Sequence, residues 1–190
     1  MDSKIIKMHM KEEFIKLCEF NSNIKFNLLY RGSRDGFGAH NFHAKCDGKS
    51  ETVTIIKSSN NNIFGGYTNV AWTKHANIYY PNQNAFLFSL VNKDNEPIKI
   101  KIGINMNFIS LQGSFDRMSS SNHCGPLFGR FPKYDLIIAD NCNLNSNSWS
   151  DLSDSFMHPR YGPGSNEAKS FLAGTCQFQV DEIEVFQIGV

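Results

Sequence analysis

The sequence lacks a charge bias, and this absence excludes one class of protein. The 190 residues include 19 lysines and arginines against 18 aspartates and glutamates, a formal net charge of +1. A protein that binds nucleic acid without sequence preference needs a basic surplus that displaces counterions from the phosphates. We therefore expect no nucleic-acid partner, and a nucleic-acid-associated scaffold stays open only as a third hypothesis.

A long apolar run is also missing. The longest strongly apolar run covers residues 86–91, whereas a membrane-spanning helix needs roughly 20 such residues. Residues 1–10 lack the apolar stretch of a signal peptide. We expect a cytoplasmic protein with no direct membrane insertion.

Paired cysteines and cofactor motifs are missing as well. The five cysteines form no Cys-x-x-Cys pair, which is typical of reduced thiols in the cytosol. The groupings His43/Cys46 and His123/Cys124 have no partner pair at zinc spacing. The glycines of residues 32–38 fit neither nucleotide-binding motif. We expect no metal, no cofactor and no catalytic residue.

What is present indicates an α+β fold in one domain. The spacing of Phe14, Leu17 and Cys18 predicts a helix over residues 11–20, in a segment of residues 1–25 that packs on a domain of residues 26–190. Later segments are rich in β-branched residues and alternate in polarity, which predicts antiparallel strands in a β-sandwich core.

Several local expectations follow from these patterns. Ser33 or Asp35 is expected to cap a helix that ends at Asp47, and Gly65-Gly66 predicts a bulge or a close approach of backbones. The lysines of residues 98–104 and the acids Glu182 and Glu184 are expected to lie on solvated strand faces. The polar stretch 141–170 is too long for a simple hairpin, which favours a functional or loosely ordered loop.

From Phe26 onward the chain resembles the TLDc domain. The segments that carry the resemblance are LLYRGSRDGF at 28–37, FHAKCD at 42–47, TVTIIKS at 52–58, NIFGGYT at 62–68 with Trp72, FLFSL at 86–90, YDLIIAD at 134–140 and FQVDEIEVF at 178–186. Each segment is a weak signal alone, and their order and spacing over about 160 residues make the resemblance specific.

The resemblance implies a sandwich of two antiparallel β-sheets flanked by short helices. It also implies a role in resistance to oxidative stress, and several family members bind and regulate the vacuolar proton-pumping ATPase. We expect the partner of this chain to be peripheral-sector subunits of that ATPase, with recruitment to vacuolar or endosomal membranes through that partner. The family has no accepted catalytic mechanism, so no active-site residue is carried over. Cys124 does not align with the family's cysteine.

The leading hypothesis is therefore a non-enzymatic, regulatory binding module. Its candidate interaction surface consists of Arg31, Ser33, Arg34, Asp35 and Lys57. The stretch 141–170 is the alternative surface, because loops on a rigid scaffold often carry function.

An enzyme is the competing hypothesis. A thiol-based antioxidant would use Cys124, whose pKa would be low if its loop were exposed and electropositive. A hydrolase would use the acids Glu182 and Glu184, which share one face of a strand.

Overall fold

Two antiparallel sheets form the body of the protein. The computed structural model describes residues 1–73, 84–103, 124–130 and 133–189, together with the backbone of 79–80 and 109–110. The helices are a 3₁₀ turn at Met8–Met10, α1 (Lys11–Cys18), α2 (Gly32–Asp35), α3 (Ala39–Cys46) and α4 (Asn166–Ser170). The strands are β1 (Lys25–Arg31), β2 (Thr52–Ser58), β3 (Ile63–Thr68), β4 (Tyr79–Tyr80), β5 (Phe86–Val91), β6 (Ile98–Lys101), β7 (Ile109–Ser110), β8 (Cys124–Arg130), β9 (Lys133–Ala139), β10 (Ser148–Ser150), β11 (Gln177–Phe178) and β12 (Val180–Gly189).

The strand order confirms the predicted α+β sandwich. The first sheet has the order β1-β12-β2-β3-β5-β6, and the second has the order β11-β10-β9-β8-β7-β4. Residues 178–186 were predicted as one strand, but the chain changes sheets at Gln179, so β11 belongs to the second sheet and β12 to the first. This crossing ties the two sheets together near the end of the described chain.

The β2–β3 hairpin explains the paired glycines. A Cβ atom on Gly65 would lie 1.9 Å from the Thr54 carbonyl oxygen, and one on Gly66 would lie 2.7 Å from the ring of Phe128 in the second sheet. The predicted close approach is therefore confirmed, and no register shift interrupts the β2–β3 ladder at these residues. Side chains at either position would push the hairpin or the sheets apart.

The main core lies between the sheets and is dominated by aromatic rings. Its large, fully buried members are Tyr30, Phe42, Phe64, Trp72, Phe128, Phe156, Phe171 and Phe178. The Trp72 ring meets those of Phe42 and Phe128 edge-on, at centroid distances of 5.3 and 5.5 Å. Edge-to-face pairs of this kind add about 0.5–1.5 kcal/mol each beyond the burial of their area.

A second cluster covers the outer face of the first sheet, the face that points away from the second sheet. Ile5, Ile6, Phe14 and Cys18 of the N-terminal segment are buried there. They pack against side chains of the sheet such as Val53, Ile55, Phe88 and Phe186. The apolar stripe of α1, which the spacing of Phe14, Leu17 and Cys18 predicts, therefore packs against the sheet. The division between residues 1–25 and 26–190 stays a prediction.

This cover corrects the expectation of a wet lysine face on β6. The Lys99 side chain is only 13% exposed, and its ammonium donates to the Cys18 carbonyl (3.0 Å) and to Glu19 (2.8 Å). Lys101 remains exposed, as predicted. The alternation of β6 was read correctly, but the N-terminal segment lies over its lysine side.

The predicted cap of α3 is also wrong. Asp35 accepts the Arg31 backbone N–H at 2.9 Å, within the separate short helix α2. The helix α3 begins after Gly38 instead, and its first N–H, of Ala39, donates to Asp140 at 2.7 Å. The Gly38 N–H also donates to Asn41 Oδ1 at 3.1 Å, so the helix start is held by one local side chain and by Asp140, about 100 positions away, which local spacing does not reveal.

The stretch 141–170 contains β10 and α4 and is anchored to the body. The buried Asp135 carboxylate accepts the backbone N–H groups of residues 153–156 at 3.0–3.3 Å. Leu152 and Phe156 are fully buried in the main core. Among the residues that the structure describes, no helix is long and apolar enough to cross a membrane.

Candidate functional site

The strand β12 brings the predicted surface residues together with the predicted acids. It lies between β1 and β2, with Arg31 opposite Glu184 and Lys57 opposite Glu182 in register. The candidate interaction surface and the candidate hydrolytic acids therefore form one charged cluster, which we call the β12 cluster: Arg31, Ser33, Arg34, Asp35, Lys57, Asp181, Glu182 and Glu184.

The centre of the β12 cluster is a buried ion pair. The Arg31 Nε donates to Glu184 Oε1 at 2.7 Å, and the two residues are 8% and 0% exposed. Glu184 also accepts hydrogen bonds from the Ser3 hydroxyl and the Lys4 backbone N–H. Arg31 Nη2 donates to the Asp2 carbonyl at 2.7 Å. The N-terminal segment therefore closes the pair off from solvent.

These contacts overturn the expectation that Glu182 and Glu184 are solvated. Residues 178–186 come last among the predicted strands, but β12 is central in the sheet and its outer face is covered. Glu182 Oε1 accepts the backbone N–H groups of Ser33 and Ile183 at 3.0 and 3.1 Å. The carboxylates of Glu182 and Glu184 thus both accept hydrogen bonds from groups within the folded chain.

The rest of the β12 cluster is paired at the surface. Arg34 makes a bidentate contact with Asp35, with Nη2 2.7 Å from Oδ2. Burial of Asp35 acts to raise its pKa, but the hydrogen bonds from Arg34 and the Arg31 backbone lower the pKa below its usual value. Lys57 Nζ lies 3.1 Å from Asp181. Only Ser33, Arg34 and Lys57 among the predicted surface residues present much area to a partner.

The thiols lie mainly in the interior. All five cysteines fall within the described residues and carry free thiols. Burial raises the pKa of Cys142 to about 12 and moves the pKa of Cys18 and Cys46 upward as well. Cys176 is half-buried, and burial raises its pKa too. High thiol pKa values leave little thiolate at neutral pH.

Cys124 is the first residue of β8 and is 6% exposed. Cys124 thus does not lie on the exposed loop that the thiol hypothesis requires. His123 falls outside the described residues. His43 shares a contact of 2.8 Å with Asp47 and one of 3.3 Å with the Cys124 carbonyl oxygen. Within the described part of the chain, no three His, Cys, Asp or Glu side chains come together as metal ligands.

A cleft of about 510 Å³ lies beside β9 and β10, bordered by the segment 163–169. Its lining residues are Lys133, Tyr134, Ile137, Trp149, Asp151, Ser153, Pro163, Gly164 and Lys169. Sequence reasoning named 141–170 as the alternative surface and so contained Trp149 and Lys169. It did not find Lys133, which the pairing of β9 with β10 brings to the same cleft.

The cleft carries polar groups without partners. Neither the Lys133 nor the Lys169 ammonium forms an ion pair or hydrogen bond within the described residues, and the Trp149 indole N–H has no acceptor there. Asp151 Oδ1 is buried without a hydrogen-bond partner. The cleft therefore offers two cationic donors and an aromatic wall, with the partly exposed Asp151 beside them.

The walls of the cleft are held by the fold. The Asp151 backbone N–H donates to the Asp135 carbonyl at 2.9 Å, so the anchor described above also fixes this residue. Ser150 Oγ donates to the Lys169 carbonyl at 2.8 Å, and Ser165 caps α4 by accepting the Ala168 N–H. Burial raises the pKa of Asp135 to about 7, although its four backbone donors act in the opposite direction.

A family model described as the TLDc domain matches residues 1–189. No curated protein matches the chain.

Proposed function

The chain belongs to the TLDc domain family, and on that premise we propose that it is a non-enzymatic regulatory module of the oxidative-stress response that binds a protein partner. The proposed partner is the peripheral sector of the vacuolar proton-pumping ATPase. The protein would act in the cytoplasm and reach vacuolar or endosomal membranes through that partner.

One observation carries the non-enzymatic part of the proposal: the groups that chemistry would use are engaged in the fold. Glu182 and Glu184 accept hydrogen bonds from backbone, serine or arginine donors. Cys124 is buried in a strand. General acids and nucleophiles need to reach a substrate, and these side chains are covered.

The same observation weakens the competing hypothesis of an antioxidant or hydrolytic enzyme. That hypothesis predicts one thiol of depressed pKa, and the resolved thiol shifts are all upward. Alkylation of the five cysteines as a function of pH tests it directly. Rapid alkylation of Cys124 at neutral pH would restore the enzyme hypothesis.

Binding to the proposed partner is tested with purified components. The immobilised chain is exposed to purified peripheral sector of the vacuolar ATPase, with and without prior peroxide treatment, and the amount bound is measured against concentration. We expect saturable binding that changes after peroxide treatment. If the folded chain binds nothing at either redox state, the proposed partner is wrong.

Variants locate the surface. The double variant Arg34→Ala/Lys57→Ala removes the two exposed cations of the β12 cluster, and we expect it to weaken binding by roughly fivefold or more. Lys16→Ala removes an exposed cation on α1, away from this cluster, and serves as the matched control. Equal affinity of the wild type and the double variant would exclude this surface and leave the stretch 141–170.

A further inference from the structure

We propose that the cleft beside β9 and β10 binds a short acidic segment of a protein partner, with carboxylates at Lys133 and Lys169 and a large apolar side chain against Trp149. This inference rests on the proposed function in one respect: the partner is a protein. It adds a site and the chemistry of the ligand.

The charge of the cleft selects an anionic ligand. Some lysines of the structure meet carboxylates, as Lys93 meets Asp94 at 2.7 Å and Lys57 meets Asp181 at 3.1 Å. Lys133 and Lys169 line one concavity and have no such partner among the described residues. Two like charges that line the same concavity attract an anion there more strongly than two scattered charges do.

Asp151 selects a peptide among anionic ligands. Asp151 lines the same cleft and is partly exposed, while its Oδ1 lies below the surface without a donor. A peptide offers neutral backbone N–H groups together with side-chain carboxylates, so its N–H groups can lie near Asp151 while its carboxylates meet both lysines. A phosphate ion or a nucleic-acid backbone concentrates negative charge on its oxygens and would be repelled by the Asp151 carboxylate.

Trp149 selects a large apolar side chain within that peptide. Its ring lines the cleft together with Tyr134 and Ile137, and its free indole N–H can donate to a carboxylate or a carbonyl. Aromatic residues with a polar group are enriched at the energetic centres of protein interfaces. A volume of about 510 Å³ falls within the range of ligand pockets and accommodates a few side chains.

The cleft needs little ordering before it binds. Asp135 fixes the backbone of residues 153–156, and Ser150 holds the carbonyl of Lys169. Walls that are fixed before association reduce the entropy lost on binding. A short segment can therefore bind with useful affinity.

Trp149 provides the signal for a direct test. The chain has two tryptophans, and Trp72 is buried in the core, so a ligand in the cleft changes mainly the fluorescence of Trp149. The probe is the peptide acetyl-Gly-Glu-Phe-Glu-Gly-amide, titrated into the full chain. We expect a saturable change that weakens as sodium chloride rises to about 0.5 M, because the Debye length shortens.

Substitutions in both components check the chemistry. We expect Lys133→Gln/Lys169→Gln to weaken binding roughly tenfold or more, and Lys16→Gln, which replaces an exposed lysine on α1, to leave it unchanged. The peptide with glutamine in place of both glutamates, and the peptide with glycine in place of phenylalanine, should bind weakly. Trp149→Phe should remove the optical signal, and calorimetry then follows binding.

Each outcome bears on the inference. Absence of saturable binding, or equal binding by the double glutamine variant, overturns it. An equal response to inorganic phosphate or to a single-stranded oligonucleotide overturns the assignment to a peptide. If the peptide binds but the ATPase peripheral sector does not, the proposed partner fails and the cleft assignment stands. If the peripheral sector binds and the peptide does not, the cleft assignment alone fails.

Discussion

The outer face of the first sheet and the cleft beside β9 and β10 use charged side chains in opposite ways. On the first sheet, residues 1–20 cover the strands, and Arg31 meets Glu184 in the interior. In the cleft, Lys133 and Lys169 form no ion pair with any of the described residues. A cation that is paired inside the fold cannot be removed without leaving a buried charge unpaired, whereas an unpaired cation in a concavity remains available to a ligand.

This difference changes the assignment of the predicted interaction surface. Arg31 and Asp35 were selected because they are charged and lie near glycine-rich turns. In the structure they organise β1, α2 and the N-terminal segment. Their charges therefore act mainly inside the protein, and the proposed recognition of a partner would depend on exposed neighbours such as Arg34 or on the cleft.

Among the substitutions that test the contrast between the first sheet and the cleft, Phe14→Ala is expected to have the largest effect. The Phe14 ring is fully buried and lies 5.3 Å from the ring of Phe88. Phe14→Ala should lower the free energy of unfolding by about 3–5 kcal/mol, because it leaves a cavity between α1 and the sheet. Urea unfolding measures this value, with Trp149→Phe in the cleft as a control expected to cost below about 1 kcal/mol. Equal losses would mean that the first sheet is no better covered than the cleft.

The buried ion pair is expected to give the next largest effect. Arg31→Ala leaves Glu184 in the interior without its cation, and we expect a loss of about 3 kcal/mol in the free energy of unfolding. Arg34→Ala breaks a pair at the surface and should cost below about 1 kcal/mol. The double variant Arg31→Met/Glu184→Gln should recover part of the loss. No difference between Arg31→Ala and Arg34→Ala would contradict the assigned structural role.

Asp135 is a buried acid that accepts backbone N–H groups, whereas Glu184 is paired with the Arg31 cation. The pH dependence of stability tests Asp135. Asp135 accepts backbone N–H groups from residues 153–156, and burial raises its pKa to about 7. The folded state then holds the Asp135 proton more tightly than the unfolded chain, where the carboxyl titrates near 4. This contribution is fully present below about pH 4 and is lost as pH rises through about 7, by at most about 1.4 kcal/mol per pH unit.

Urea unfolding of the wild type and of Asp135→Asn between about pH 4.5 and 7.5 tests this sign. We expect the stability of the wild type relative to the variant to fall as pH rises. The comparison with the variant cancels the titration of other groups, including His158, whose pKa burial lowers. A relative stability that rises with pH would mean that the four backbone donors outweigh burial.

The smallest effect is expected in the cleft itself. Lys133→Gln/Lys169→Gln removes two charges that have no partner among the described residues, so the free energy of unfolding should change by no more than about 0.5 kcal/mol. Thermal or urea unfolding measures this change. A loss above about 1 kcal/mol would show that these lysines serve the fold, and the contrast between the two regions would disappear.

Local signals in the sequence were sufficient for much of the fold. The alternation and β-branching of residues 52–58 predict β2, and Gly65-Gly66 predicts the close approach that the structure contains. Both signals depend on neighbouring residues alone. The burial of Glu184 could not be predicted in this way, because it depends on Ser3, Lys4 and Arg31, which are more than 150 positions away.

The candidate site likewise combines features that the local sequence predicts with features that depend on contacts between distant residues. The composition of residues 141–170 marked the stretch that contributes Trp149, Asp151 and Lys169 to the cleft. Lys133 joins them because Trp149 pairs with Ile137 in the β9–β10 register. Sequence patterning predicts that strands exist, but it does not determine which strands become neighbours when the connections are long.

The position of β12 has a consequence for how the protein is made. The ribosome releases residues 25–101, which supply the other five strands of the first sheet, long before it releases residues 180–189. Until then β1 and β2 each expose an edge that β12 will occupy, and unpaired edges invite association with other chains. Translation that stops before residue 180 would therefore leave a nascent chain with two open strand edges, which makes such a chain prone to aggregation.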